Sequence, residues 1–356
     1  MNRTDRARLL DLLSIQSASR DAGAMVSHMA HELARAGCDV EIADGQIYAM
    51  KGTGIVPFYI AHADTVHAIQ PDHKYQADIF VDASGEVVWY AYDPQTGERR
   101  GVGGDDKCGL WVCLEAARAR DDVGIIITRD EEIGAIGASL IPPELLTDAA
   151  VLIEADRRGN DEAITNGFGG NISSRAWRDH VAPILAAHGY RWSDRGTFTD
   201  VTRMMEERIS PVSVVNLSAG YYDAHTDHET IRESELEAAT VLALALGRAS
   251  AGTRWEHTMD AGWTHELFAF RNGKAYTPTT TYTQHAANDA PLAWERFDIM
   301  DPDAPMEECA VTGCGDEAEA ERDGKAFCWW HIEQLDEAEL AGISPENAAT
   351  LILNGL

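Results

Sequence analysis

The chain is poor in positive charge. Across 356 residues, 29 lysines and arginines face 59 aspartates and glutamates, leaving a net charge of −30. Such a surface repels nucleic acid and anionic membrane and draws cations and amino groups, so neither a nucleic-acid nor a membrane partner is expected. It also lacks any run of about 18 apolar residues, the length a membrane-spanning helix requires. The opening Met1-Asn-Arg-Thr-Asp-Arg-Ala-Arg leads into a short amphipathic segment rather than an apolar stretch with a cleavage site, so no signal peptide is read and a cytoplasmic location is expected. Cysteine is scarce, with six residues. Cys38, Cys108 and Cys113 are scattered while Cys309, Cys314 and Cys328 cluster, a pattern that suits reduced thiols and one metal site and excludes a disulfide framework.

The length allows one domain of roughly 250 residues with a real core, plus an appendage. Residues 4–16 read as a helix with Thr4 as its N-cap and Leu9, Leu12 and Leu13 inward, and 22–36 as a second helix closed by Gly37. Short β pieces follow at 40–42 and 47–50, then Val56-Pro-Phe-Tyr-Ile-Ala61, the continuous apolar run of a buried parallel strand. A hairpin is expected from 78–81 and 87–92 around Ser84-Gly85. Residues 107–119 read as helix, and 124–128 and 149–153 as buried strands. An edge strand is expected at 162–165, helices at 180–188 and 199–205, and a strand at 212–215. Ser234 and Glu237 read as a capping box for a closing helix through Leu246, with Gly247 behind it. Strands alternating with helices predict an α/β fold with a mostly parallel central sheet flanked by helices, whose ligands sit outside the carboxyl ends of the strands. The catalytic domain is expected over 1–250 and a Thr/Pro-rich linker or strap over 251–305.

The polar clusters fall at those strand ends. His62-Ala-Asp64 follows the first buried strand, Glu131 and Glu132 the next, and Glu154 and Asp156 the third. The glycine turn Gly101-Val-Gly-Gly-Asp105 can hold one carboxylate rigidly before a helix, as a ligand shared by two ions requires. His225 follows the strand at 212–215. Alone, each segment also reads as a solvated turn, a helix start or a structural histidine. Together, the imidazoles of His62 and His225 and the five carboxylates of Asp64, Asp105, Glu131, Glu132 and Asp156 suit two divalent, zinc-like ions.

Five segments, His62-Ala-Asp-Thr-Val, Gly103-Gly-Asp-Asp-Lys-Cys-Gly, Asp130-Glu-Glu-Ile-Gly, Ile153-Glu-Ala-Asp and His225-Thr-Asp-His-Glu-Thr-Ile, resemble in kind and order the co-catalytic two-zinc exopeptidases. These include peptidase T, carboxypeptidase G and the acetylornithine deacetylases, with the lidless aminopeptidases as relatives. The resemblance covers about residues 5–250. It implies one metal on His62, Asp105 and Asp156 and a second on Asp105, Glu132 and His225. Zinc is the first choice, with cobalt or manganese as alternatives. It further implies that Asp64 fixes the ring of His62, and that Glu131 takes a proton from water between the ions and passes it to the leaving amine. Asp106 follows the bridge and is a candidate for unusual peptide geometry. His67 and His228 are read as surface or supporting groups, and Cys108 is not read as a nucleophile. The segment between Asp156 and Gly196-Thr-Phe-Thr-Asp200 is too short for the inserted lid domain of the larger relatives, so roles resting on that lid do not transfer.

The tail, 306–356, carries Cys309-x4-Cys314 and Cys328-x2-His331, spacings that suit a tetrahedral structural zinc supplying the folding energy of a small module. Residues 301–356 hold fourteen acids against Arg322 and Lys325, so a protein contact or structural docking is expected there rather than nucleic acid. A terminal helix is expected over 336–353. The functional expectation is a dinuclear metal-dependent aminopeptidase acting on short peptides. The alternatives are an N-acyl amino-acid deacylase and, from another class, a non-catalytic binding or scaffold protein on a hydrolase fold.

Overall fold

The structure is a computed structural model that describes residues 1–167, 170–196 and 198–258, together with the backbone of three short strands farther on. The chain divides into two compact units, Met1–Trp263 and Thr264–Leu356. In the second, β16 (Asp298–Ile299), β17 (Ala320–Arg322) and β18 (Lys325–Phe327) form an antiparallel sheet. The cysteine and histidine set at 309–331, the terminal helix at 336–353 and most of the strap lie outside the described residues.

The first unit is built on an eight-stranded sheet. Its strands are β1 (Asp39–Ala43), β2 (Gln46–Lys51), β3 (Val56–His62), β7 (Val123–Thr128), β8 (Ala149–Arg157), β9 (Glu162–Ile164), β12 (Arg191–Ser193) and β13 (Val214–Ser218), in the order β1-β2-β7-β3-β8-β13-β9-β12. The central β7-β3-β8-β13 block is parallel; β1-β2, β2-β7 and β13-β9 are antiparallel, and β9-β12 is again parallel. All seven residues of β3 are buried, as its unbroken apolar run requires. Alternate side chains serve opposite faces. Phe58 and Ile60 join Leu152, Val201 and Met204 in one core cluster, whereas the Tyr59 hydroxyl donates to the Ala243 carbonyl on the other side.

The helices are α1 (Arg3–Leu13), α2 (Gly23–Arg35), α3 (Gly104–Ala119), α4 (Arg175–Ala187), α5 (Asp200–Glu206) and α6 (Glu233–Ser250). A second sheet follows the order β14 (Tyr221–Tyr222), β15 (Thr230–Arg232), β5 (Val87–Tyr92), β4 (Gln76–Val81), with β6 (Arg99–Arg100) on β5. A small β10 (Asn166–Gly167)/β11 (Gly170–Asn171) pair completes the unit. The segment after Asp156 supplies β9 to β12 and α4, all inside the first unit.

Three expected helix-end signals are corrected. Helix α1 starts one residue earlier than read, capped by Asn2, whose side-chain oxygen accepts from Asp5 N at 3.0 Å. Helix α6 has no capping box. It begins at Glu233, and Ser234 bonds Glu86 through both its main-chain N–H and its hydroxyl. Nor does Gly247 end α6. It lies within the helix where a Cβ would stand 2.1 Å from the Tyr59 hydroxyl, so its lack of a side chain serves packing against β3. Past 250 the chain stays on the domain, with Trp255 N donating to Ala150 O and Ser213 N to Trp255 O.

Candidate metal centre and active site

The residues expected at the site emerge from carboxyl ends of the parallel block, from the turn before α3 and, for His225, from the loop after β14 of the second sheet. His62 is the last residue of β3, Glu131 and Glu132 follow β7, Asp156 lies near the end of β8, and His225 follows β14. The turn before α3 is glycine for a steric reason. Gly103 has φ +69°, and a Cβ on Gly104 would meet Tyr221 Cβ at 2.7 Å, so only glycine lets this backbone approach the second sheet. Helical geometry breaks at Asp105 and Asp106, and the peptide between them is cis, at the position where the sequence suggested unusual geometry.

The fold brings these side chains together around Asp105. Its Oδ1 lies 3.1 Å from His62 Nε2 and its Oδ2 3.3 Å from His225 Nε2. His225 Nε2 is also 3.1 Å from Glu132 Oε2, and His62 Nε2 is 3.9 Å from Asp156 Oδ1. One carboxylate thus faces both imidazoles, as a shared ligand must. Candidate ligand atoms of His62, Asp105 and Glu132 lie within 4.8 Å of one another, as do those of His62, Asp106 and Asp156. Asp106 is otherwise engaged, accepting from His62 N at 3.2 Å and Gly109 N at 2.9 Å, so its carboxylate ties the end of β3 to the start of α3.

Asp64 takes a different contact from the one expected. His62 Nδ1 donates to the main-chain oxygen of Asp64 at 2.9 Å, while the nearer carboxylate oxygen is 3.6 Å away. That carboxylate instead accepts from Ser19 Oγ at 2.7 Å and Glu131 N at 3.0 Å, so Asp64 positions the backbone of Glu131 as well as the ring of His62. Glu131 Oε2 stands 3.9 Å from His62 Nε2.

The electrostatics are those of anions forced together. Burial, reinforced by neighbouring carboxylates, pushes Asp156 and Glu131 well above the usual carboxyl range, and burial also raises Glu132. Burial opposes charge on His62 and His225, but hydrogen bonds and carboxylates around Asp105 outweigh it and hold both imidazoles well above 6.5. Glu132 Oε1 is buried without a hydrogen-bond partner. An orphaned carboxylate oxygen within a set of buried imidazoles and carboxylates fits divalent cations, which satisfy such oxygens and balance the charge. Cys108 is fully buried, and burial followed by nearby acids drives its thiol well above 9, so it is no nucleophile.

Three supporting residues escaped the sequence reading. Glu229, fully buried, accepts from Gly103 N at 2.6 Å, Asp105 N at 3.0 Å and His67 Nε2 at 2.8 Å, holding the main chain of the shared carboxylate. Tyr221 places its buried hydroxyl 3.2 Å from Asp156 Oδ1 and 3.4 Å from Asp105 Oδ2. Asn216 donates to the Asp156 carbonyl and accepts from its N–H. Glu229 lies inside a quoted motif, four residues after His225, so its position was visible. Tyr221 and Asn216 carried no signal of their own, because their roles depend on β13 and β14 lying beside β8 and α3.

No protein-family model matches the chain, and comparison with curated proteins finds no match. Solved structures do resemble it. The aminopeptidase PepT from Bacillus cereus is 15% identical, with a TM-score of 0.54 over 69% of this chain and 98% of that one. A tripeptidase from Staphylococcus aureus is 16% identical, with a TM-score of 0.52 over 68% and 98%. An aminopeptidase from the archaeon Desulfurococcus kamchatkensis is 13% identical, with a TM-score of 0.52 over 69% and 96%. At these identities the likeness establishes the architecture, and the first unit has the fold of these peptidases.

Proposed function

We propose that the chain is a dinuclear metal-dependent hydrolase of peptide bonds, an aminopeptidase-like exopeptidase for short peptides. The observation that carries this reading is the placement of Asp105 between His62 and His225, with Glu132 and Asp156 flanking it and Glu131 alongside. In this reading His62, Asp105 and Asp156 hold one ion, and Asp105, Glu132 and His225 the other. When bound, such ions polarise a substrate carbonyl and make nearby water more acidic.

The chain's own groups do the rest. Glu131, anchored through its N–H to Asp64, is the general base that accepts a proton from the attacking water and returns it to the leaving amine. Burial and neighbouring acids raise its proton affinity, which suits a group that must hold the proton between the two steps. Surrounding carboxylates attract a substrate's free amino group. The printed descriptions of the structural neighbours, aminopeptidases and a tripeptidase, support the same substrate class. In the tail, Cys309, Cys314, Cys328 and His331 are proposed to hold a structural zinc, offering a surface for a protein partner.

The test is kinetic. The chain is supplied in turn with zinc, cobalt and manganese and given a short peptide with a free N-terminus and its N-acetylated twin. Faster cleavage of the free peptide supports the aminopeptidase. Faster cleavage of the acetylated one makes it a deacylase, and cleavage of neither, with metals bound, returns it to the non-catalytic reading.

A further inference from the structure

Strand β4 ends the second sheet, and its outer edge pairs with no strand among the described residues. The ladder decides which backbone groups that edge exposes. Asp82 N donates to Glu86 O at 2.9 Å, continuing the register that sets Phe80 opposite Val88 and Asp78 opposite Tyr90. Hydrogen-bonded positions alternate in an antiparallel pair, so the even-numbered residues of β4 bond β5, and the N–H and C=O groups of Ala77, Ile79 and Val81 point off the sheet. Ile79 N agrees: it donates to the exposed Asp78 side chain at 2.8 Å, a contact that another acceptor can replace.

The side chains at this edge are apolar. Ile79, Phe80 and Val81 are consecutive and 37%, 42% and 63% exposed. Ile79 and Val81 lie opposite Trp89 and Val87, on the face where Trp89 and Ala91 are buried, so they carry a buried face out to the point where the sheet stops. Edges of this kind are usually guarded by lysine, proline or a bulge. Strand β4 has none of these, and its ladder with β5 runs without a shift from Gln76 to Val81.

We propose that this edge binds β4 of a second copy, antiparallel, with Ile79 on the twofold axis. The strand is its own complement in that register. Ile79 meets Ile79 and Ala77 meets Val81, so only the outward-pointing groups pair, with about six hydrogen bonds at two per bonded pair, and each face continues into the same face of the other copy. Asp78 then stands opposite Phe80. A shift of two residues one way would set Asp78 against Asp78, and the other way would carry Ala77 past the end of β4, so charge and strand length select the same pairing. The net charge of −30 on each chain opposes association, but only through more distant groups, which salt screens beyond about 8 Å. One short strand pair buries less than the roughly 1,200 Å² of a standard interface, so the dimer is weak, with a dissociation constant on the order of 10–100 μM.

The experiment is sedimentation equilibrium of the full-length protein across that range at low and high sodium chloride. The mass should move from one chain to two, and at lower protein concentration in high salt. Ile79→Pro removes the N–H on the axis, and proline is tolerated on an edge strand where the N–H faces outward, so the ladder with β5 should survive while the dimer is lost. Ile79→Lys, which sets two ammonium groups against each other across the axis, should weaken association by about tenfold or more. Ile79→Cys should give a disulfide-linked dimer under mild oxidation, because a bonded pair has its Cα atoms about 5.5 Å apart. Val81→Cys, some four residues or ~13 Å from its own copy, should not, and neither should wild type. A wild-type chain that remains single at every concentration and salt overturns the proposal, whether the edge then stays bare or takes a strand of another protein. So does a dimer that survives both Ile79→Pro and Ile79→Lys, or one that Val81→Cys links as readily as Ile79→Cys.

Discussion

Replacing Glu131 by glutamine separates binding from chemistry. The carboxamide keeps the shape of the side chain, and the main-chain N–H that bonds Asp64 at 3.0 Å is untouched, so the loop after β7 should hold its course. Both proposed ligand sets, with Asp105 between the imidazoles at 3.1 and 3.3 Å, exclude Glu131, so metal content should stay at two ions per chain. Removing one of several crowded carboxylates also relieves repulsion that, after burial, raises the proton affinity of Glu131, so the metal-free variant should melt no lower than wild type. Turnover behaves differently. A positioned general base contributes roughly 10²- to 10⁴-fold, and glutamine cannot carry the proton, so kcat should fall by about that factor with KM nearly constant. Elemental analysis, thermal melts and steady-state rates on one free peptide cover the three quantities. Wild-type turnover in the variant, or loss of one metal with it, would show that Glu131 is not the base.

Asp105→Asn should lower occupancy at both sites together, read by metal analysis, because each imidazole faces its carboxylate. Tyr221→Phe removes the hydroxyl beside Asp156 and Asp105 and should weaken the more weakly held ion by roughly 10- to 100-fold in a titration of metal-free protein, the usual effect of losing a ligand-orienting hydrogen bond. Glu154, fully buried and pushed by burial and then Asp200 from 4.5 up to about 8, favours its protonated form in the fold; its contribution to stability is full below about pH 4.5 and is lost as pH rises towards 8. Glu154→Gln should therefore raise the melting temperature of the metal-free protein at pH 8 more than at pH 4.5. Truncation near residue 300 should leave a folded first unit with two metals and remove one zinc per chain, checked by metal analysis, and loss of all metal would contradict a separate zinc in the tail.

Much of the architecture was legible because local rules and tertiary structure agree on it. The apolar run from Val56 to Ala61 reads as a buried parallel strand since only a sheet covered on both faces hides consecutive side chains, and β3 is that strand. The caps were misread where the rules compete. Thr4 and Ser234 are both good N-cap types, but Asn2 takes the first role and Glu86, distant in sequence, takes the hydroxyl of Ser234. Gly247 looked like a terminator because glycine often is one, yet here it makes room for Tyr59.

The amino-acid order alone determined which residues stand at strand ends. Parallel strands point their carboxyl ends to one rim, so His62, Asp64, Glu131, Glu132 and Asp156 could be named from spacing and residue type, and Asp105 and His225 from the glycine turn and the motifs they form. Tertiary structure decided what each of them touches. It set Asp105 between two histidines more than a hundred residues apart in sequence, gave the carboxylate of Asp64 to Ser19 and Glu131, and brought Tyr221 and Glu229 against the shared acid. The physical reason is that periodicity reports which face a side chain leaves by, whereas a hydrogen bond at 3 Å depends on how β3, β8, β14 and the turn before α3 are packed, and that packing is a property of the whole domain.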